Sequence, residues 1–337
     1  YAIRRHRDKP WTLPLFMDNK MISPLGAGLL SFLVDGARTL LVAGTRSSGK
    51  TSLLGALMVE IMRKYRVVTI EDTLEMPVDY LRSIGYNIQH MKVRSALTSG
   101  GIEVSADEGI RTSLRLGDSS LIVGEVRSQE ARALYEAMRV GALANVVAGT
   151  IHGSSPYGVY DRVVNDLGVP KTSFKATDII VVANPIRSAD GLKSHKRVLQ
   201  ITEVRKHWHD DPQREGGFVD LMAYDSMTDT LVPTPDLLNG ESEILKSIAS
   251  HVKEWSGDWD ALWENILLRA RLRERLLQVS HDTGMRELLE ADFIVRSNDT
   301  FHLLSDQISE EVGALDTKRL FSYWDSWLQQ EVTRRRV

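Results

Sequence analysis

Thr39-Leu-Leu-Val-Ala43 runs straight into Gly44-Thr-Arg-Ser-Ser-Gly49-Lys50-Thr51, and a helical pattern follows to Lys64. The apolar pentapeptide reads as a buried strand. After it, Leu53, Leu54, Leu57, Met58, Ile61 and Met62 recur at the spacing of one helix face. The segment between satisfies G-x-x-x-x-G-K-[ST], in the strand-before, helix-after setting that a phosphate-binding loop needs. Its glycines let successive backbone N–H groups turn inward without a Cβ in the way. The lysine supplies positive charge to the β- and γ-phosphates, and the hydroxyl of Thr51 is placed for Mg²⁺. The helix that follows adds its positive end. The candidate phosphate-binding residues are therefore Gly44, Thr45, Arg46, Ser47, Ser48, Gly49, Lys50, Thr51 and Ser52.

Outward from this loop, short apolar runs alternate with helical patterns, which predicts an α/β fold with a parallel sheet. Val67–Ile70, Leu121–Val123, Val146–Ile151 and Ile179–Ala183 read as strands, and Glu130–Arg139 as a helix. Two of the strands end in acids. Leu121-Ile-Val-Gly-Glu125 places a carboxylate where a strand of such a sheet approaches the γ-phosphate, so Glu125 is a candidate for holding Mg²⁺ with Thr51 or orienting water. Val68-Thr-Ile-Glu71-Asp72 is the second, followed by Glu75, and His152 closes the strand after Val146.

The chain has 337 residues, room for about two domains. Apolar residues make up 42% and charged residues 26%, the balance of a globular protein rather than a disordered one. There are no cysteines, which excludes disulfides, zinc ribbons and thiol catalysis and fits a reducing compartment. A net charge of −3 does not favour duplex nucleic acid as the main partner. The absence of an initiator Met suggests a trimmed fragment with an upstream domain missing. The expected organisation is a leading, linker-like segment over 1–35, broken by Pro10, Pro14 and Pro24, then an ATPase core over 36–206. A charged connection over 207–240 and a helical C-terminal domain over 241–337 complete it.

The order of motifs resembles the type II/type IV secretion ATPase superfamily. It runs from the phosphate loop through Thr69-Ile-Glu-Asp-Thr-Leu-Glu75 and Gly124-Glu-Val-Arg127 to Thr150-Ile-His152. Within the superfamily the chain looks closest to archaeal members, the archaellum motor FlaI and GspE-like pilus ATPases, on Ile3-Arg-Arg5, Pro10-Trp-Thr12 and Leu114-Arg115. The resemblance implies a RecA-like P-loop core using ATP and Mg²⁺. It implies a homohexamer on the cytoplasmic face of the membrane, driving pilin-like substrates through a polytopic platform protein. By motif, Glu71 belongs to the Asp box, Glu125 is the Walker B acid, Arg127 follows it, and His152 is the His-box histidine. Arg111 and Arg115 are candidates for reaching ATP in a neighbouring subunit. Where many members carry a further histidine this chain has Ala142, and Ser128 stands where glycine commonly follows the Walker B arginine. A nucleic-acid-translocating or DNA-transfer ATPase of the same fold is the alternative; a non-catalytic subunit with a vestigial loop is a third reading.

Three other features take the plainer reading. His207-Trp-His209-Asp210-Asp211 lacks any standard metal-ligand spacing and reads as a solvated loop. Arg269, Arg271, Arg273 and Arg275 read as a solvated helix face paired with local acids. The five tryptophans from Trp255 to Trp327 read as helical core or subunit interface rather than a ligand cage.

Overall fold

The computed structural model describes residues 7–94, 104–117, 119–128, 130–141, 145–188 and 191–336. Ile3–Arg5 and Ala142, both singled out above, lie outside them. Among the described residues nine strands form one sheet: β1 (Thr39–Gly44), β2 (Val67–Glu71), β3 (Ile88–Lys92), β4 (Ser120–Val126), β5 (Val147–His152), β6 (Ile179–Arg187), β7 (Ser194–Val204), β8 (Phe218–Asp225) and β9 (Thr230–Pro233). Their order is β3-β2-β4-β5-β1-β6-β7-β8-β9. The pairs from β3 to β6 are parallel, and β6 through β9 form an antiparallel meander on one edge. The parallel strands are apolar almost end to end because helices cover both faces, as such sheets require.

Alternate strand residues feed two separate cores. Leu41, Ala43, Val68, Ile70, Leu121 and Val123 pack against Ala131, Leu134 and Met138 of helix Glu130–Gly141 and against Val159 and Phe174. Leu40, Val42, Val67 and Ile122 face the other way, onto helices Pro24–Asp35 and Lys50–Glu60. That second core continues without a gap into helices Trp259–Thr283, Ala291–Val312 and Thr317–Arg336, whose buried Leu262, Ile266, Phe293 and Trp324 belong to it. All five tryptophans of this region pack in or against the same core, as the sequence suggests.

The prolines near the start open helices rather than only breaking them. Pro14 lies in the first turn of Leu13–Asp18, with Thr12 as N-cap, and Pro24 begins Pro24–Asp35 behind Ser23. Proline fits the first turn because its missing N–H would have no helical partner there.

The arginine-rich segment departs from its expected role. Arg271 pairs with Glu264 on its own helix as expected, whereas Arg275 pairs with Asp325 on helix Thr317–Arg336. Arg269 and Arg273, however, are only 5% exposed, and each reaches across to another helix. Arg269 pairs with Asp35 at 2.5 Å, while Arg273 pairs with Glu60 and donates to Ser31 Oγ at 2.6 Å. Four arginines at every second position on a helix cannot share one face; they split into two pairs spaced four apart, and Arg269 with Arg273 is the pair that points inward. The 207–211 segment is the connection between β7 and β8; Trp208 is buried in it, and Glu215 accepts the backbone N–H groups of His209, Asp210 and Asp211. Among the described residues no cluster of His, Asp or Glu is suited to hold a metal by itself.

Candidate active site

Parallel strands all point their carboxyl ends the same way, so the loops that follow β1, β2, β4 and β5 meet at one edge of the sheet. They enclose a cleft of about 370 Å³ lined by Arg46–Ser52, Glu75, Glu125, Arg127, Thr150 and His152. The loop after β1 keeps Gly49 at φ +97°, a left-handed conformation natural to glycine, and from it the helix Lys50–Glu60 starts with no side-chain cap. Its first N–H groups therefore open onto the cleft, a ready anion site. Lys50 is buried, its Nζ donating to Thr45 O at 2.8 Å, and the buried hydroxyl of Ser48 makes no hydrogen bond within the protein. Asn184 on β6 accepts from Thr45 N at 2.8 Å and fixes the loop's other flank. An uncapped helix end, a buried ammonium and an unpartnered hydroxyl on one wall fit the phosphates of a nucleotide.

The opposite wall is acidic, and a bulge aims it. Val123 pairs with Gly149 but Val126 with Ile151, so β4 carries one extra residue over Gly124–Glu125. Strict alternation would bury Glu125 on the face of Leu121 and Val123; the bulge gives that place to Val126 and turns Glu125 to the cleft. Thr150 Oγ1 donates to Gly124 O at 2.6 Å and holds the bulge. Glu125 pairs with Arg127 through one oxygen, and its other lies 2.8 Å from His152 Nε2. The register of β1 with β5 sets His152 beside Gly44, hence beside the phosphate loop. Burial and the Lys50 charge pull the His152 pKa below its ordinary value, against the raising effect of Glu125, and favour the neutral imidazole. Arg127 also approaches Asp72 at 3.4 Å, and its pKa is raised mainly by the hydrogen bond to Glu125.

Glu71 sits elsewhere. Its carboxylate is buried at the end of β2, accepting the backbone N–H groups of Glu75 and Met76 at 3.1 Å each and meeting His90 Nε2 at 2.9 Å. Burial raises its pKa, with those hydrogen bonds and His90 acting in the lowering direction. A Cβ on Gly124 would come within 2.9 Å of Glu71 Cγ, so the glycine makes room for this carboxylate. What Glu71 does is fold the chain back so that Glu75 faces the cleft, where Thr51 Oγ1 donates to it at 3.2 Å. Glu75 carries no motif role in the sequence; the signal for it is its four-residue offset from Glu71, the span of a single tight turn. Arg111 and Arg115 are exposed and lie outside the cleft. Arg111 instead approaches Glu136 at 3.6 Å and lines an adjoining surface hollow with Arg127 and Arg132.

Residues 2–216 match the family described as type II/IV secretion system protein. The chain belongs to that family. Its relatives include an uncharacterized protein of Methanocaldococcus jannaschii, 29% identical over 68% of this chain and 80% of that one. The type IV secretion system protein PtlH of Bordetella pertussis is 32% identical over 51% of this chain and 52% of its own length. Among solved structures, the VirB11 ATPase of the Brucella suis type IV secretion system is 23% identical, with a TM-score of 0.40 over 52% of this chain and 50% of that one. The chain thus spans about half the length of PtlH and of the VirB11 ATPase.

Proposed function

We propose that this chain hydrolyses ATP with Mg²⁺ as a subunit of a ring, most simply a hexamer, that powers assembly of type IV pilus-like filaments or type II-like secretion at the cytoplasmic face of a membrane. The observation that carries it is the single cleft that joins Lys50 and an open helix N-terminus to Glu75, Glu125 and His152. Lys50 and the N–H groups of Gly49–Ser52 bind the β- and γ-phosphates. Thr51, Glu75 and Glu125 are the residues that would hold Mg²⁺, two carboxylates and a hydroxyl being a usual partial set for an ion shared with phosphate. The ion, when bound, neutralises charge on the phosphate oxygens. Glu125 then orients a water and takes up its proton, while neutral His152 and Arg127 keep its two oxygens in position. Arg111 and Arg115, exposed and away from their own cleft, serve a neighbour's. No described helix is long and apolar enough to cross a membrane; the proposed membrane partner is a polytopic platform protein.

Turnover per subunit, followed across protein concentration with mass measured in parallel, tests this reading. It should rise as the ring forms. Lys50→Ala should abolish it, and Glu125→Gln should keep nucleotide binding while slowing hydrolysis about a hundredfold or more. Full activity in Lys50→Ala overturns the site. Activity indifferent to assembly but stimulated by DNA replaces the motor with the nucleic-acid translocase.

A further inference from the structure

At the opposite edge of the sheet, the amino ends of β1, β4 and β5 close a second cavity of about 390 Å³. Six residues of β1 separate it from the phosphate loop, roughly 20 Å at strand rise. Its walls include Phe32 and Trp255, whose rings lie 5.3 Å apart with a tilt of 41°, together with Ile248 and Met62. A cleft of this size, mostly apolar with a few convergent polar groups, is the usual form of a small-molecule site.

Arg38 gives it a sign. This residue is 7% exposed and lines the cavity, yet its Nε makes no hydrogen bond within the protein, and one amino group reaches only Ser247 Oγ, at 3.5 Å. Asp178, the acid whose charge it feels, is already engaged by Lys206 Nζ at 3.1 Å and by Thr39 N at 3.2 Å. The other opposed charges on the wall, half-buried Asp35 and buried Arg269, pair with each other. Burial draws the Arg38 pKa below its ordinary value, the mark of a charge short of compensation. The backbone leading to it is also held in an uncommon shape. Ala37 has φ +52°, fixed by its N–H to Val34 O at 3.0 Å and by Arg38 N to Leu33 O at 3.2 Å. These two bonds are the Schellman turn that ends helix Pro24–Asp35, and they set Arg38 at the cavity.

We propose that this cavity binds a small planar organic anion, its carboxylate or phosphate on Arg38 and its flat apolar body against Trp255. The site is distinct from the nucleotide cleft and does not depend on the function proposed for it.

Phenyl phosphate and benzoate are suitable probes, with benzyl alcohol as the uncharged control. Each is titrated calorimetrically into the full chain held in saturating MgADP, which occupies the phosphate loop. Saturable binding of one molecule per chain is expected for at least one of the two anions, with benzyl alcohol weaker by about tenfold or more. Arg38→Gln should weaken the anion by about tenfold or more and leave benzyl alcohol unchanged. Met62→Trp, which fills the half-buried rim and leaves Arg38 in place, should block all three and covers the case in which Arg38→Gln fails to fold. The proposal is overturned if neither anion saturates by about 10 mM, well above the affinity a built site provides. Equal binding of benzyl alcohol, indifference to both substitutions, or binding seen only when MgADP is left out would overturn it as well.

Discussion

Two arginine–carboxylate pairs mark two contrasting regions of this molecule. Arg127 and Glu125 meet at the mouth of the nucleotide cleft with 45% and 16% of their side chains exposed. Arg273 and Glu60 meet between helices with 6% and 1% exposed. The first pair lies in high dielectric and can exchange one partner for a phosphate at little cost. The second is sealed, and removing either member strands a charge where water does not reach. Glu60 is the last residue of the helix that begins at Lys50. The sealed pair therefore ties the C-terminal helices to the far end of the same helix whose near end lines the proposed phosphate site. One region is built to trade contacts and the other to keep them.

The largest expected effect breaks the sealed pair. Arg273→Ala should lower stability by about 3–5 kcal/mol, measured by urea unfolding, because Glu60 would remain buried and charged. Replacing both members, Arg273→Met with Glu60→Leu, should recover most of that loss, since well-packed apolar residues often match a buried pair. A single substitution costing under about 1 kcal/mol, the range of an exposed pair, would erase the contrast.

The exchangeable region gives the next effect, and it separates two neighbouring glutamates. Glu75→Gln should cost about tenfold to a hundredfold in Mg²⁺ affinity or turnover, since Glu75 holds the Thr51 hydroxyl on the cleft wall. Glu71→Gln should cost only a few-fold, because an amide oxygen still accepts from the N–H groups of Glu75 and Met76. Mg²⁺ titrations of ATPase rate decide between them. The reverse order would put Glu71, rather than Glu75, on the metal side of the cleft.

That ambiguity marks where the sequence stops being legible. The strand, loop and helix around the proposed phosphate site were readable because they are local, following each other within 22 residues of chain, Thr39 to Glu60. Strands β1, β2, β4, β5 and β6 were readable as apolar runs for the same reason. β3, with its exposed Gln89 and half-buried His90 and Met91, lacks that signal, and β7 to β9 carry the mixed pattern of a meander with one edge strand. The bulge at Gly124–Glu125 is a relation between two strands and leaves no trace in either alone. The fate of Arg269 and Arg273 depends on Asp35 and Glu60, more than two hundred residues earlier. Charge in a sequence defaults to solvent, and only the fold shows which acids wait inside.

The smallest expected effect compares the two regions through their histidines. His302 lies beside the sealed network, facing Asp35, Arg269, Glu60 and Lys64, and burial lowers its pKa more than Asp35 raises it. His152 in the cleft is lowered too, by burial and Lys50. In both cases the unfolded chain binds the proton more readily than the folded one. Each therefore stabilises the fold above the ordinary histidine pKa of about 6.5, and that contribution is lost as pH falls through the folded value. Urea midpoints between about pH 8 and about pH 5 should thus fall with acidification, and His302→Asn should flatten the slope. Saturating nucleotide should alter the share carried by His152, whose surroundings it enters, and leave that of His302 unchanged. A nucleotide-dependent slope that survives in His152→Asn and vanishes in His302→Asn would mean that the sealed network feels the cleft, along the helix from Lys50 to Glu60.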